Sequence, residues 1–332
     1  LAGGSTLTPN ASQDVVVRAI GDNATISFAG GVAAGGNAGV GLGADVVVGV
    51  KNVKAHIDSG ARVFAKDDVE VSAANKDTDL SLAMSLGAAG SYGVSGTASV
   101  AVRTNTTQAW IGQLDDVAGT TYITPTTFVT AGDDLSVTAE DKTFGIQFSG
   151  ALGAGGTAGI GAAFNVGVAL NKTTAAIGQN ASTQAGGATL VEAKSKEETY
   201  AITLAGGAAG TVGVGGAISV HVLGSETNAH ITGQVNQRDA DLLADYSITP
   251  TATDQTVKVN AENYFREVNA VGALGAAGTV GVGAGVNVTI AKAKANAYIG
   301  IGNSSTLVNA KGDVEVTAKS EKITDDYVVA LG

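Results

Sequence analysis

Residues 207–220 read GAAGTVGVGGAISV, and the small-residue block at their centre recurs along the chain. Its five copies are GGNAGVGLG, AAGSYGVSG, AGGTAGIGA, AAGTVGVGG and AAGTVGVGA, anchored on Gly39, Gly93, Gly159, Gly213 and Gly281. The intervals are 54, 66, 54 and 68 residues. Twenty residues before each anchor stands an alanine (Ala19, Ala73, Ala139, Ala193, Ala261), and eighteen after it an isoleucine (Ile57, Ile111, Ile177, Ile231, Ile299). No insertion falls inside that span; all length variation lies between the isoleucine and the next valine run. A fixed long period with no other domain between copies marks a stacked, quasi-one-dimensional architecture. Residues 1–332 therefore read as one continuous segment, beginning and ending inside the pattern as a slice of a longer repeat protein would.

Within each copy the apolar period is two. Leu80, Leu82, Met84 and Leu86 alternate with Ser81, Ala83 and Ser85, and after the anchors Val46, Val100, Val166, Val220 and Val288 share one offset. Period two with β-branched residues means strands with one face buried, and so much glycine, valine and threonine disfavours helix. The expectation is an all-β chain, a parallel β-helix (β-solenoid) of about five repeats, with the alternate valines stacked inward as apolar columns. Val100 should then be a core position and Ala101 an outer one. A 54-residue repeat divides into about three coils of roughly 18 residues, giving a rod of roughly 80–90 Å at about 4.8 Å per strand. The paired glycines, Gly90 with Gly93 and Gly210 with Gly213, suit a tight bend or a close backbone approach. The long gaps carry the strings Ile123-Thr124-Pro125 and Ile248-Thr249-Pro250 and should bulge from one corner in alternate repeats as dispensable loops. A transmembrane β-barrel needs aromatic girdles, for which one Trp and seven Tyr are too few. The stretch 175–188 is similar to trimeric autotransporter head repeats, but the fourteen-residue period of that family is missing.

Composition sets further bounds. Aromatics are only 5% and glycines number 48, so the core must be thin and built of Val, Ile, Leu and Ala. The formal charge of −11 argues against nucleic-acid or anionic-membrane partners, since phosphate binding needs basic clusters. There is no cysteine, hence no disulfide, thiolate site or cysteine nucleophile. No apolar run reaches the length of a transmembrane helix.

The string 207–220, with AGDDLSVTAED (131–141) and AKGDVEVTAKSE (310–321), resembles the filamentous-haemagglutinin-like bacterial exoproteins, including leukotoxin-like filamentous adhesins and biofilm matrix adhesins. The resemblance is one of repeat style and covers essentially the whole chain. It implies a right-handed parallel β-helix in a secreted or cell-surface adhesin, exported through an outer-membrane secretion partner. The expected role is a structural stalk; a direct carbohydrate- or receptor-binding module and a head-to-tail matrix filament are the alternatives. Host or matrix glycans and proteins, and sister rods, are the partners this allows.

Three sets of residues are candidate sites. Asp67, Asp68, Asp133, Asp134 and Asp313 precede valine runs at coil corners and could hold calcium through clustered oxygens, or cap turn amides. Trp110 and Tyr298 belong to a series, His56, Trp110, Ala176, His230 and Tyr298, expected on the outer face, where rings can stack on sugars. Tyr122 and Tyr246 lie in the long gaps at 113–130 and 234–254. Seven Asn-x-Ser/Thr sequons (Asn10, Asn23, Asn105, Asn171, Asn180, Asn287, Asn303) are possible acceptors of sugar. No converging catalytic constellation is visible; Asp115-Asp116 and Arg238-Asp239-Asp241 lack a partner in sequence. The chain is not expected to be an enzyme or to need a cofactor beyond that calcium.

Overall fold

The computed structural model describes residues 12–114, 125–236, 255–300 and 306–332. Among these there is no helix; the chain forms three parallel sheets. Sheet A stacks six long strands in order: β1 (Val15–Gly35), β4 (Val69–Ala89), β7 (Leu135–Gly155), β10 (Thr189–Ala209), β13 (Val257–Ala277) and β16 (Val314–Leu331). Sheet B stacks β2 (Ala38–Ile57), β5 (Tyr92–Ile111), β8 (Ala158–Ile177), β11 (Val212–Ile231) and β14 (Val280–Ile299). Sheet C is narrow: β3 (Arg62–Ala65), β6 (Thr127–Ala131), β9 (Ala181–Ala185), β12 (Gln234–Val235) and β15 (Leu307–Val308). This is a parallel β-solenoid, not a closed barrel.

One repeat makes one coil. Val15 pairs with Val69, Val69 with Leu135, Leu135 with Thr189 and Thr189 with Val257, so the ladder steps by whole repeats. The expected three coils per repeat are wrong, and so is the long rod. Six strands at about 4.8 Å span only about 24 Å along the axis, whereas 21 residues at about 3.3 Å give coils about 70 Å wide. Of the paired glycines, Gly90 and Gly210 lie in the turns between sheets A and B, and Gly93 and Gly213 lie inside strands at close backbone approaches. Only two residues, such as Gly90-Ser91, turn the chain from sheet A to sheet B.

The cross-section of a coil changes along its width. At the wide end sheet C holds the two long sheets apart and encloses an apolar prism. The repeat-marking residues meet there: Ala73, Ala139, Ala193 and Ala261 face Ile57, Ile111, Ile177 and Ile231, with Val71, Val137, Val191 and Val259 beside them. At the other end the sheets close backbone to backbone. A Cβ on Gly87, Gly153, Gly207 or Gly275 would run into the carbonyl oxygen of Val94, Ile160, Val214 or Val282. The anchors Gly93, Gly159 and Gly213 press likewise on the carbonyls of Ala154, Ala208 and Ala276, so each of these seven positions must lack a side chain.

Between these ends the interior is polar. Ser81, Ser99, Ser149, Ser219 and Asn269 are buried, and they bond across the slab: Ser81 to Asp45 and Ser99 (3.0 Å), Thr97 to Ser149 (2.9 Å), Ser219 to Asn269 (3.1 Å), and Asn269 to Asn287 (2.7 Å). The apolar phase of the alternation faces out instead. Ala101 is buried at 4% exposure, whereas Val46, Val48, Phe164, Val288 and Ile290 on the other phase lie open. The expectation that Val100 and its column face the core is thus reversed. Small polar side chains and alanines, with Leu223, Phe265 and Val271 among them, fill a thin slab, and most of the branched ones are left outside.

The long gaps do not share a corner. One lies between β5 and β6, the other between β12 and β13. Nor is the first wholly dispensable, because β6 with its buried Thr127 and Val129 occupies its second half.

Candidate functional site

The aspartates at the sheet C to sheet A corner form a staircase. The Asp14 carboxylate accepts the Asp68 amide (3.2 Å), Asp68 accepts that of Asp134 (2.9 Å), and Asp134 accepts that of Ala188 (2.7 Å). Each carboxylate thus caps the coil above. One oxygen from each of Asp14, Asp67 and Asp68 lies within 4.8 Å of the other two, which is ligand spacing for a hard cation. Partial desolvation, then repulsion from Asp68, Asp14 and Asp134, raises the Asp67 carboxyl above its usual range. Asp133 is raised by desolvation and by Asp134, Asp68 and Asp67. The fold gathers four of the five predicted aspartates and adds Asp14. It leaves Asp313 elsewhere, in the last described corner, where its carbonyl accepts the Val257 amide (2.9 Å).

At the wide end of sheet B the ring series expected on the outer face stacks in pairs but is not exposed throughout: His56 is exposed, Trp110 and Tyr298 are half-buried, and His230 is buried. His56 stacks on Trp110 (centroids 4.3 Å, planes 2° apart) and His230 on Tyr298 (4.8 Å, 2°). Ala176 separates the two pairs, because the register runs Trp110, Ala176, His230. The second pair borders a polar groove of about 520 Å³ with Thr174, Asn228 and Asn296, where the Asn296 amide donates to the Asn228 oxygen (2.6 Å). Trp110 is not part of that groove. Tyr122 and Tyr246, with Asp115-Asp116 and Arg238-Asp239-Asp241, lie outside the described residues. Of the sequons, Asn105, Asn171 and Asn180 are buried; Asn180 ties three coils together through Ser59, Gln113 and Thr126 (2.9, 2.7 and 3.2 Å) and is unavailable to sugar.

A third cluster was missed by sequence reasoning because the polar phase was read as outward. Inside the slab, Arg103 pairs with Asp79 (3.0 Å) in space that Gly145 leaves open. Asp141 accepts from Asn75 (2.8 Å) and Thr107 (2.9 Å), yet burial pushes its carboxyl up. Fully buried Glu197 is pushed up to about 8, chiefly by desolvation. The His221 ring lies 3.2 Å from Glu267, both sealed from solvent. The signal was present in the sequence as Asp45, Asp79, Arg103, Glu197, His221 and Glu267 all on one phase. Acids and bases meet here, but two sheets close the space to any substrate. Comparison with protein-family models, curated proteins and solved structures finds no match.

Proposed function

We propose that this chain is a non-catalytic structural segment of a bacterial surface adhesin, a stalk whose coils carry load and position a binding element. The observation that supports it most is the unbroken register: each inner sheet A strand pairs along its length with the coil before and after it. Ladders of this kind carry no internal hinge, and their open edges accept further coils. Among the described residues the interior is consumed by packing. The repeat style shared with filamentous-haemagglutinin-like exoproteins supplies the adhesin class and, with it, export to the cell surface through a secretion partner.

A second reading is a carbohydrate-binding module, favoured by the His230–Tyr298 stack beside its polar groove. Screening the chain against glycans and host-matrix proteins separates the two. A stalk binds none of them. A binding module retains a ligand and loses it in Tyr298→Ala with the fold intact; that result would displace the stalk reading.

A further inference from the structure

The outward face of the thin half of the slab carries an unusual composition. On sheet A the outward positions from Leu80 to Ala88, and their partners in the other coils, are aliphatic, aromatic or glycine throughout, except for Asp325 on the last strand. On sheet B the outward positions from Tyr92 to Val102 and their partners include no charged residue, and no serine, threonine, asparagine or glutamine. Phe164, Leu152, Leu204, Leu274 and Val286 all lie open to solvent there. Single exposed apolar residues need no explanation, but a contiguous patch over both faces does.

We propose that this half of each coil is built to sit in the hydrocarbon of a lipid bilayer. Three features select lipid over a second copy of the chain. The band covers both outer faces, whereas a packed copy covers one. It ends at the same depth on both sheets, after nine to eleven residues, or about 30–36 Å at about 3.3 Å each; a bilayer core is about 30 Å thick. Finally, its border is a cationic collar. The two bordering rows on each sheet, through Lys142 and Phe144 and through Leu170 and Lys172, hold seven cations against four anions, on a chain of net charge −11. Lysines there can reach lipid phosphates while their stems stay in the apolar layer, and Phe144, Tyr200 and Tyr264 take interfacial positions.

The backbone meets the requirement of such a medium, since every inner strand is paired on both edges. The polar interior is screened from lipid by the two sheets. The unpaired edges of the first and last coils then need a further coil or an end-to-end copy. The expected lack of a membrane-spanning segment rested on helix-length runs, on overall charge and, for a barrel, on too few rings for aromatic girdles; the alternation conceals a spanning band, and the local charge is of opposite sign. The inference does not need the adhesin reading. It does fix the posture of the stack, whose axis would run along a membrane rather than away from it.

The test folds the chain in the presence of phosphatidylcholine vesicles, with and without phosphatidylglycerol, and floats them on a gradient. In a Trp110→Phe background, a reporter is placed by Leu82→Trp in the band or by Ser72→Trp on the charged half. The expected result is co-flotation, with Leu82→Trp quenched by lipids brominated in mid-chain and Ser72→Trp not quenched. Ile218→Lys, mid-band on an outward position, should lower the vesicle-bound to free ratio about tenfold or more. If that variant fails to fold, the quenching pair decides alone. Failure to float, equal quenching at both sites, or lipid-independent stacks that shield residue 82 would overturn the proposal; the last would assign the band to a second copy.

Discussion

Gly93 and Ala101 stand eight residues apart on the same face of β5 and are silent for different reasons. Gly93 faces the Ala154 carbonyl at the closed end, so Gly93→Ala forces two backbones apart. It should cost about 1–3 kcal/mol, as overpacking does. Gly96→Ala, whose new methyl meets only the Leu42 side chain, should be nearly neutral. Urea denaturation of the pair checks this. Ala101 is sealed in the slab, so Ala101→Asp should cost about 3–5 kcal/mol as an unpaired buried charge. Val100→Asp on the outer phase should stay within about 0.5 kcal/mol in water. The marker positions Ala73 and Ile57 were legible because a core column tolerates little change. The phase was not, because strict alternation reads the same whichever face is inside. Only the knowledge that serines and asparagines at Ser81, Ser99 and Asn269 find each other across the slab decides it.

Strands of this length are sustained by their neighbours, and the interior that joins them titrates. Folded Glu197 holds its proton up to about pH 8, whereas an unfolded glutamate releases it near the usual carboxylate value of 4.5. The native state therefore binds more protons over that window, and stability falls as pH rises through it. Asp141, raised for the same reason, adds to the trend. Denaturation midpoints should be higher at about pH 5 than at about pH 8, and Glu197→Gln should flatten most of that slope. A coil is also a removable unit. Deleting residues 135–188 joins Asp134 to Thr189, which occupies the same register as Leu135. Circular dichroism should retain the full β-signature, with a lowered melting temperature; loss of the signature would mean that coils are not interchangeable. Coil number was illegible for a local reason. A glycine that yields to a facing carbonyl, such as Gly159, has the same letter as one that turns the chain, such as Gly156.

As a whole, the molecule is a flattened slab, apolar-cored at its wide end, polar inside and apolar outside across its thin half. Charge follows the same division: ion pairs such as Arg18–Glu70, Lys194–Glu192 and Lys258–Glu315 all lie on the wide half of sheet A. Composition foretold a thin core poor in aromatics, and the repeat foretold stacking. The thickness and the sidedness belong to the pairing of the two long sheets, which neither strand taken alone determines. The chain has no cysteine, so a single-cysteine scan along Tyr92–Ile111 reads sidedness directly. Labelled with a small membrane-permeant maleimide under native conditions, Val94→Cys, Val100→Cys and Val102→Cys should react readily. Ser95→Cys, Ala101→Cys and Arg103→Cys should react only after unfolding. The opposite phase of reactivity, or reaction at every position alike, would contradict an inside-polar, outside-apolar solenoid.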